Sequence, residues 1–265
     1  MGTFGSVLAE YLSLKGHQIL PEQTKDAEMI FVVVPSDVVL DVLLKEKENI
    51  VNQKIIICSK GFYKNSILIS ESLEDNFQNI FYLYGPTLAQ EIKEGKLSAF
   101  VLAGGIGKEE IKKEVESSQV HIELSDDVIG VQVGASLKNV MAIFLGIIEG
   151  QNYGENTKAY AFTKCVKEIK NFGLKLGAKE ETFLGLSCVG DLTLFSRNRL
   201  FGVEIGKERK METILKELDF TPQGIENTKY AREIAKREGI PIPIIDSLYS
   251  ILFKNASPQE TMRAL

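Results

Sequence analysis

Hydrophobic and polar positions alternate in blocks along the first half of the chain. Residues 5–15 set Val7, Leu8, Tyr11 and Leu12 on one face of a helix. MIFVVVPS, from Met29, is a short continuous apolar run closed by proline, the pattern of a parallel strand covered on both faces. KIIICSKG, from Lys54, and NIFYLYGP, from Asn79, repeat it, each ending in Gly or Pro, with polar helix-like segments between. SAFVLAGG and VHIEL, from Ser98 and Val120, predict two further strands. Strand, helix and strand at this spacing predict βαβ units and a mostly parallel sheet. From about residue 127 helical periodicity takes over. Phe162, Cys165, Ile169, Phe172 and Leu176 form one stripe, and Ile214, Leu215 and Leu218 belong to a short helix. Pro241 and Pro243 break the chain before a last helical stretch over Ser247–Lys254. The pattern predicts an α/β domain over residues 1–126 and an all-helical domain over 127–265. No repeat, low-complexity tract or flexible linker separates them, which predicts a tight shared interface.

Composition narrows the class. With 265 residues, 44% of them hydrophobic, the chain is long enough for one large domain or two ordinary ones. A net charge of −5 argues against a general nucleic-acid binder. Cys58, Cys165 and Cys188 show neither disulfide nor metal-ligand spacing, which predicts a reducing cytoplasm and no metal site. No signal peptide is recognisable. Val128–Ile148 is apolar enough to resemble a membrane span, but Gln132, Ser136, Asn139 and a central Lys138 interrupt it. A central lysine costs about 2.5–3.5 kcal/mol on insertion scales, so the segment is read as a buried core helix.

Candidate chemistry follows from the predicted strand ends, because parallel sheets bind ligands beyond their carboxyl edges. Those ends are Pro35-Ser36, Ser59-Lys60-Gly61 and Gly85-Pro86-Thr87. They suit a ligand approaching the backbone, and equally suit ordinary turns. Lys138 says more: it is the only charged residue between Val128 and Ile148. Burying the helix desolvates its ammonium and lowers its pKa toward the range of a working acid or base. A lysine on a solvated stripe is the alternative, which its apolar neighbours disfavour. Asp191 follows a glycine at the end of an apolar segment, and Ser196-Arg197-Asn198-Arg199 comes soon after. Arginine beside asparagine suits an anionic oxygen cluster, or else decorates a surface helix end. His17 and His121 have no partner in sequence, so histidine-dependent chemistry is not expected. Tyr160 and Lys164 reproduce a dehydrogenase spacing by coincidence, in the helical half. Gly2-Thr3-Phe4-Gly5 reads either as the second half of a phosphate-binding turn or as a glycine-flanked helix start.

Taken in order, GTFGSVLA, VVVPS, SKGF, YGPTLAQEI, GVQVGASLKNVMAIFLGIIEG, GENTKAYAFTKCVKE, TFLGLSCVGDL, SRNRLFGVEIG and PQGIENTKYA span nearly the whole chain. The sequence resembles the bacterial NAD(P)-dependent glycerol-3-phosphate dehydrogenases. The run around Lys138 and the GDL and SRNR pair are its most specific parts. The resemblance implies a Rossmann-like domain, then a helical substrate domain. It implies reversible hydride transfer between dihydroxyacetone phosphate and sn-glycerol 3-phosphate, with NAD or NADP as cofactor. A cytoplasmic homodimer feeding phospholipid backbone synthesis is part of the same implication. Lys138 matches the catalytic lysine and Asp191 the carboxylate that orients the group. Lys60, Gly85, Thr87, Ser196, Arg197 and Asn198 match substrate contacts. Gly2, Thr3, Phe4, Gly5, Lys60, Ala89, Arg197, Thr221 and Gln223 match the cofactor side.

Four departures set this chain apart from that pattern. The first strand and first glycine are missing, so Met1 stands where the strand has already ended. Only LPEQTKD bridges KGHQI and AEMIFVVVPS, where the family carries a second strand end and the ribose grip. The loop from Asp191 to Arg197 is short, which leaves the role of Thr193 open, and Gln223 stands in place of a glutamate. Loss of a central strand exposes unpaired backbone groups and apolar side chains, unless the sheet rearranges, another chain covers the gap, or the protein begins upstream. A degenerate relative that binds a phosphorylated metabolite or a partner without redox turnover is the alternative function.

Overall fold

The computed structural model describes residues 2–21 and 23–265; Met1 lies outside them. Strands β1 (Met29–Val32), β2 (Lys54–Ile57), β3 (Ile80–Tyr84), β4 (Ser98–Gly104) and β5 (Val120–Ser125) form one sheet in the order β1-β2-β3-β4-β5. β1, β2 and β3 are parallel; β4 runs against β3, with Tyr84 opposite Val101, and β5 runs parallel to β4.

The isoleucines of β2 account for its place inside the sheet. Ile55 and Ile57 face a cluster with Tyr82, Tyr84, Val39 and Leu73, while Ile56 faces Phe81, Leu83 and Phe100 on the other side. Successive strand residues point to opposite faces, so a strand covered on both must be apolar at every position. Each fully buried isoleucine stabilises the fold by about 1.5–3 kcal/mol. α1 (Thr3–Leu14), α4 (Ala89–Lys93) and α5 (Lys108–Val115) cover the Ile56 face; α2 (Val39–Lys45) and α3 (Ile69–Leu73) cover the other.

β1 is the sheet edge, and among the described residues no strand pairs with its outer side. Its side chains are nevertheless not bare, contrary to the expectation for a lost strand. Val32 is buried and Met29, Ile30 and Phe31 are half-buried. Met29, Phe31 and Val33 pack toward α1, and Ile30 and Val34 toward the cluster of α2 and α3. The helices on both faces of the sheet cover the side chains of this edge strand.

The second half is helical. α6 (Val128–Gly150) is buried at every residue from Gly130 to Ile148, which makes it a core helix although it is long and apolar enough to cross a membrane. α7 (Glu155–Lys175), α8 (Arg197–Gly206), α9 (Met211–Glu217), α10 (Gln223–Glu238) and α11 (Pro243–Lys254) accompany it. α11 starts at Pro243, not Ser247: proline lacks an N–H and already has helical φ, which suits a first turn. Val131 and Ala135 of α6 join the sheet-side cluster, and Phe62 and Leu68 of the sheet half enter the helical core. The predicted tight interface is therefore built by side chains exchanged in both directions.

Two local devices fix α6. Asp127 caps it, accepting from the Gly130 N–H at 2.8 Å and also from the Lys179 N–H and the Thr182 hydroxyl. Gly146 and Gly150 meet Gly202 and Gly206 of α8 across a close crossing, where an added Cβ at any of the four would strike the facing backbone. This contact sets the N-terminus of α8 relative to Lys138.

Candidate active site

Asp191 follows directly on a π-helical turn, Leu186–Gly190, a wide turn that recurs at functional sites. Its carboxylate is buried and takes two ammonium groups. Lys138 Nζ, from the middle of α6, donates to Oδ1 at 2.9 Å, and Lys60 Nζ, beyond the carboxyl end of β2, donates to Oδ2 at 2.7 Å. Lys60 also donates to the Gly85 carbonyl at 2.8 Å, which accepts the Thr87 hydroxyl at 3.3 Å. Only glycine fits at position 85, since a Cβ there would run into the Ala99 carbonyl of β4.

Two cations around one carboxylate leave a surplus positive charge in a nearly water-free place. Burial lowers the pKa of Lys138; Asp191 opposes this, Lys60 adds to it, and the balance lies below the ordinary lysine value. Burial pushes Asp191 upward, but Lys60 and Lys138 outweigh it and hold the carboxyl below the usual aspartate range. Such a site keeps an ionised carboxylate beside an ammonium that gives up its proton more readily than a surface lysine. It suits proton exchange at an oxygen of an anionic substrate.

α8 brings the anion-binding candidates to the same region. Ser196 caps the helix through the Arg199 N–H, and Arg199 is taken up by a bidentate pair with Glu149. Arg197 is exposed, stacks on Phe220 at 4.8 Å and has no carboxylate partner among the described residues. Asn198 is buried: its Oδ1 accepts the Gly224 N–H at 2.9 Å and its Nδ2 donates to Asn139 Oδ1 at 3.0 Å. The backbone N–H of Gly224 fixes both amide orientations. Asn139 Nδ2 is consequently buried with no partner among the described residues. This leaves one buried donor beside Lys138 in the chain that a water molecule or another acceptor could satisfy. Sequence reasoning noted Asn139 only as a polar neighbour of Lys138; its adjacency in an apolar run was the available signal.

Of the cofactor candidates, Phe4, Ala89 and Lys60 lie toward the carboxyl ends of β2 and β3. Phe4 meets Phe100 of β4, the residue that Gly85 abuts, so the N-terminus of α1 lies beside the end of β3. Ala89 packs in the same cluster as Phe4. α1 has no side-chain cap, and Gly2 has open space where a Cβ would stand. An uncapped helix N-terminus beside the end of β3 suits a dinucleotide pyrophosphate. Thr221 and Gln223 are exposed ahead of and at the start of α10, adjoining Gly224. Thr193 is exposed and donates to the Gly190 carbonyl.

Other chemistries find no footing. His17 lies against Glu114 and His121 against Glu116, both on the α5 side of the sheet. Cys58 and Cys188 are free, and burial pushes each thiol up to about 12. Tyr160 and Lys164 share the exposed side of α7, where the tyrosine hydroxyl bonds the Leu265 carbonyl. Among the described residues no group of three or more His, Cys, Asp or Glu could hold a metal ion.

Residues 14–110 match the family model of the NAD-dependent glycerol-3-phosphate dehydrogenase N-terminus, and residues 127–263 match that of its C-terminus. The chain belongs to this family. The glycerol-3-phosphate dehydrogenase [NAD(P)+] of Syntrophotalea carbinolica is 34% identical over 262 residues, covering 93% of this chain and 78% of that one. The protein of the same name from Francisella tularensis is 36% identical over 249 residues, covering 90% and 75%. The solved glycerol-3-phosphate dehydrogenase of Coxiella burnetii superposes with a TM-score of 0.93 at 25% identity, over 99% of this chain and 95% of that one. That of Saccharomyces cerevisiae shares the fold, with a TM-score of 0.85 at 20% identity over 100% and 97%. Nothing among these relatives points to a non-catalytic binding protein, and family membership makes the chain an NAD(P)-dependent oxidoreductase.

Proposed function

We propose that this dehydrogenase interconverts dihydroxyacetone phosphate and sn-glycerol 3-phosphate with Lys138 as its general acid and base. The observation that carries the proposal is the buried bridge from Lys138 through Asp191 to Lys60. In reduction the Lys138 ammonium gives its Nζ proton to the carbonyl oxygen as that oxygen becomes an alkoxide. In oxidation neutral Lys138 takes the hydroxyl proton. Asp191 stays ionised and holds Nζ in place, and Lys60 offsets the charge growing on the oxygen.

The substrate phosphate is assigned to the N-terminus of α8. Arg197 offers charge-assisted bonds there, steadied on the Phe220 ring, with Ser196 and Asn198 beside it. Gly2, Thr3, Phe4, Gly5, Lys60, Ala89, Arg197, Thr221 and Gln223 are the residues assigned to hold the cofactor. When bound, the nicotinamide supplies or takes up the hydride. A cytoplasmic homodimer serving phospholipid backbone synthesis completes the proposal, on the family resemblance and on three free, buried thiols.

Lys138→Ala tests the assignment directly. It should lower kcat by roughly 10²–10⁴-fold while NADH or NADPH binding, followed by nicotinamide fluorescence, stays near the parent value. An unchanged kcat overturns the role of Lys138.

A further inference from the structure

Lys60 reaches Asp191 from a loop pinned at both ends. On its sheet side, the Tyr84 hydroxyl donates to the Ser59 carbonyl at 2.8 Å, and Ser59 Oγ bonds both the Val32 carbonyl and the Val34 N–H at 3.3 Å. On its other side the chain passes through Gly61, with φ +146°, where a Cβ would strike Ser36 Oγ and come within 3.0 Å of Asn227 Oδ1. Phe62 follows, fully buried in the helical core with its ring 6.3 Å from that of Phe172.

The helical half answers with one side chain. Asn227 of α10 is 2% exposed. Its Oδ1 accepts the Phe62 N–H at 3.2 Å, and its Nδ2 donates to the Ser136 carbonyl at 3.4 Å. The partners fix the amide's orientation, because Phe62 N can only donate and Ser136 O only accept. One amide thus ties the loop that carries Lys60 to the stretch of α6 that carries Lys138, two residues beyond Ser136. None of these groups touches Asp191 in place of the lysines.

We propose that Asn227 is a positioning residue that sets the Lys60 ammonium against Asp191 and so completes the active site across the two halves of the chain. The inference rests on the reading of Lys138 as the acid and base, and its role is separable from it. A buried amide that merely satisfied two backbone groups would affect stability alone. A positioning amide also affects charge at the site, because Asp191 and Lys60 are the charged groups that act on Lys138. If the loop relaxes, Lys138 loses a like charge and gains the whole of Asp191, and its pKa rises.

The test replaces Asn227 by leucine, of similar volume and without polar atoms, and by serine, which keeps a hydroxyl and serves if the leucine variant does not fold. Carbon-13 NMR of Cε-labelled lysines follows the titration of Lys138 in the whole protein, its signal identified by loss in Lys138→Ala. Steady-state kinetics with sn-glycerol 3-phosphate and NAD(P) runs alongside. The expected result is an upward move of the Lys138 titration by about half a pH unit or more. A fall in kcat of roughly 10- to 100-fold should accompany it, with KM changed little. A lowered melting temperature with the Lys138 titration and kcat at parent values overturns the proposal, as does a lower kcat without movement of the titration. Parent protein without turnover, or an active Lys138→Ala, overturns the functional reading instead, and the NMR titration still decides the role of Asn227.

Discussion

Asp191 holds two cations, so its removal has consequences that removal of either lysine does not. In Asp191→Asn two ammonium groups share one buried place without a counter-charge. Breaking a buried pair from one side costs about 3–5 kcal/mol, and urea denaturation should register a loss of that order. The remaining lysine charges repel, which pushes Lys138 lower still. With Lys138 as the proposed base, the rate of glycerol 3-phosphate oxidation should rise with pH through a midpoint below the ordinary lysine value, and in Asp191→Asn that limb should move to lower pH. A limb fixed in place would show that Asp191 does not act on Lys138. Stability runs in the same direction at lower pH: the Asp191 pKa is lowered on folding, so its contribution is present above the ordinary aspartate value and is lost as pH falls below it. Lys138 was legible in the sequence because a charge in an apolar run has few innocent explanations. The sequence offered Arg197 and Arg199 together, and the structure separates them: Arg197 is exposed over Phe220, whereas Arg199 is taken up by Glu149. That partner sits on another helix, and no local pattern announces it.

At the level of elements, the crossing of α6 and α8 depends on glycines that local propensity would count as defects. Gly202→Ala places a methyl against the Ile143 carbonyl. It should cost about 1–3 kcal/mol by overpacking and lower the melting temperature measurably; an unchanged melting temperature would mean the two helices have room to part. The glycines of the two helices were not read as a pair, since each spacing alone is common. β4 was read as a strand, but its reversal against β3 could not be read: a buried apolar run looks the same in either direction. Glu168 shows the same limit. It borders the apolar stripe of α7, between Cys165 and Phe172, and is buried there, accepting the N–H groups of Ile244 and Ile245 at the start of α11. Burial pushes its pKa up to about 7 against those two bonds. Because the folded value is raised, the folded state favours the protonated acid. The contribution of Glu168 to stability is therefore fullest below the ordinary glutamate value and declines as pH rises to about 7. Comparison of melting temperatures should show that decline in the parent and a flatter profile in Glu168→Gln.

For the molecule as a whole, cofactor binding is the property most exposed to the shortened first half. The carboxyl edge keeps a free helix end, Gly2 and Lys60, while the short bridge from His17 to Ala27 offers no arginine for a 2′-phosphate and no clearly placed acid for a ribose. Reduced-cofactor fluorescence should show saturable binding of NADH or NADPH in the micromolar range, with little preference between them. With no tryptophan in the chain, energy transfer does not complicate the reading. Absence of binding at millimolar cofactor would mean that the carboxyl edge of this sheet does not hold a dinucleotide.

The carboxylate between the two lysines also imposes an order in time. Asp191 is the last of the three residues along the chain, so a nascent protein that has made β2 and α6 holds both ammonium groups and no charge to set between them. Until the turn from Leu186 to Gly190 arrives, apolar contacts such as those of Phe62 and Val131 can join the two halves, but no carboxylate stands between Lys60 and Lys138. The acid that is made third completes the set, so the site cannot be whole before residue 191 has been added.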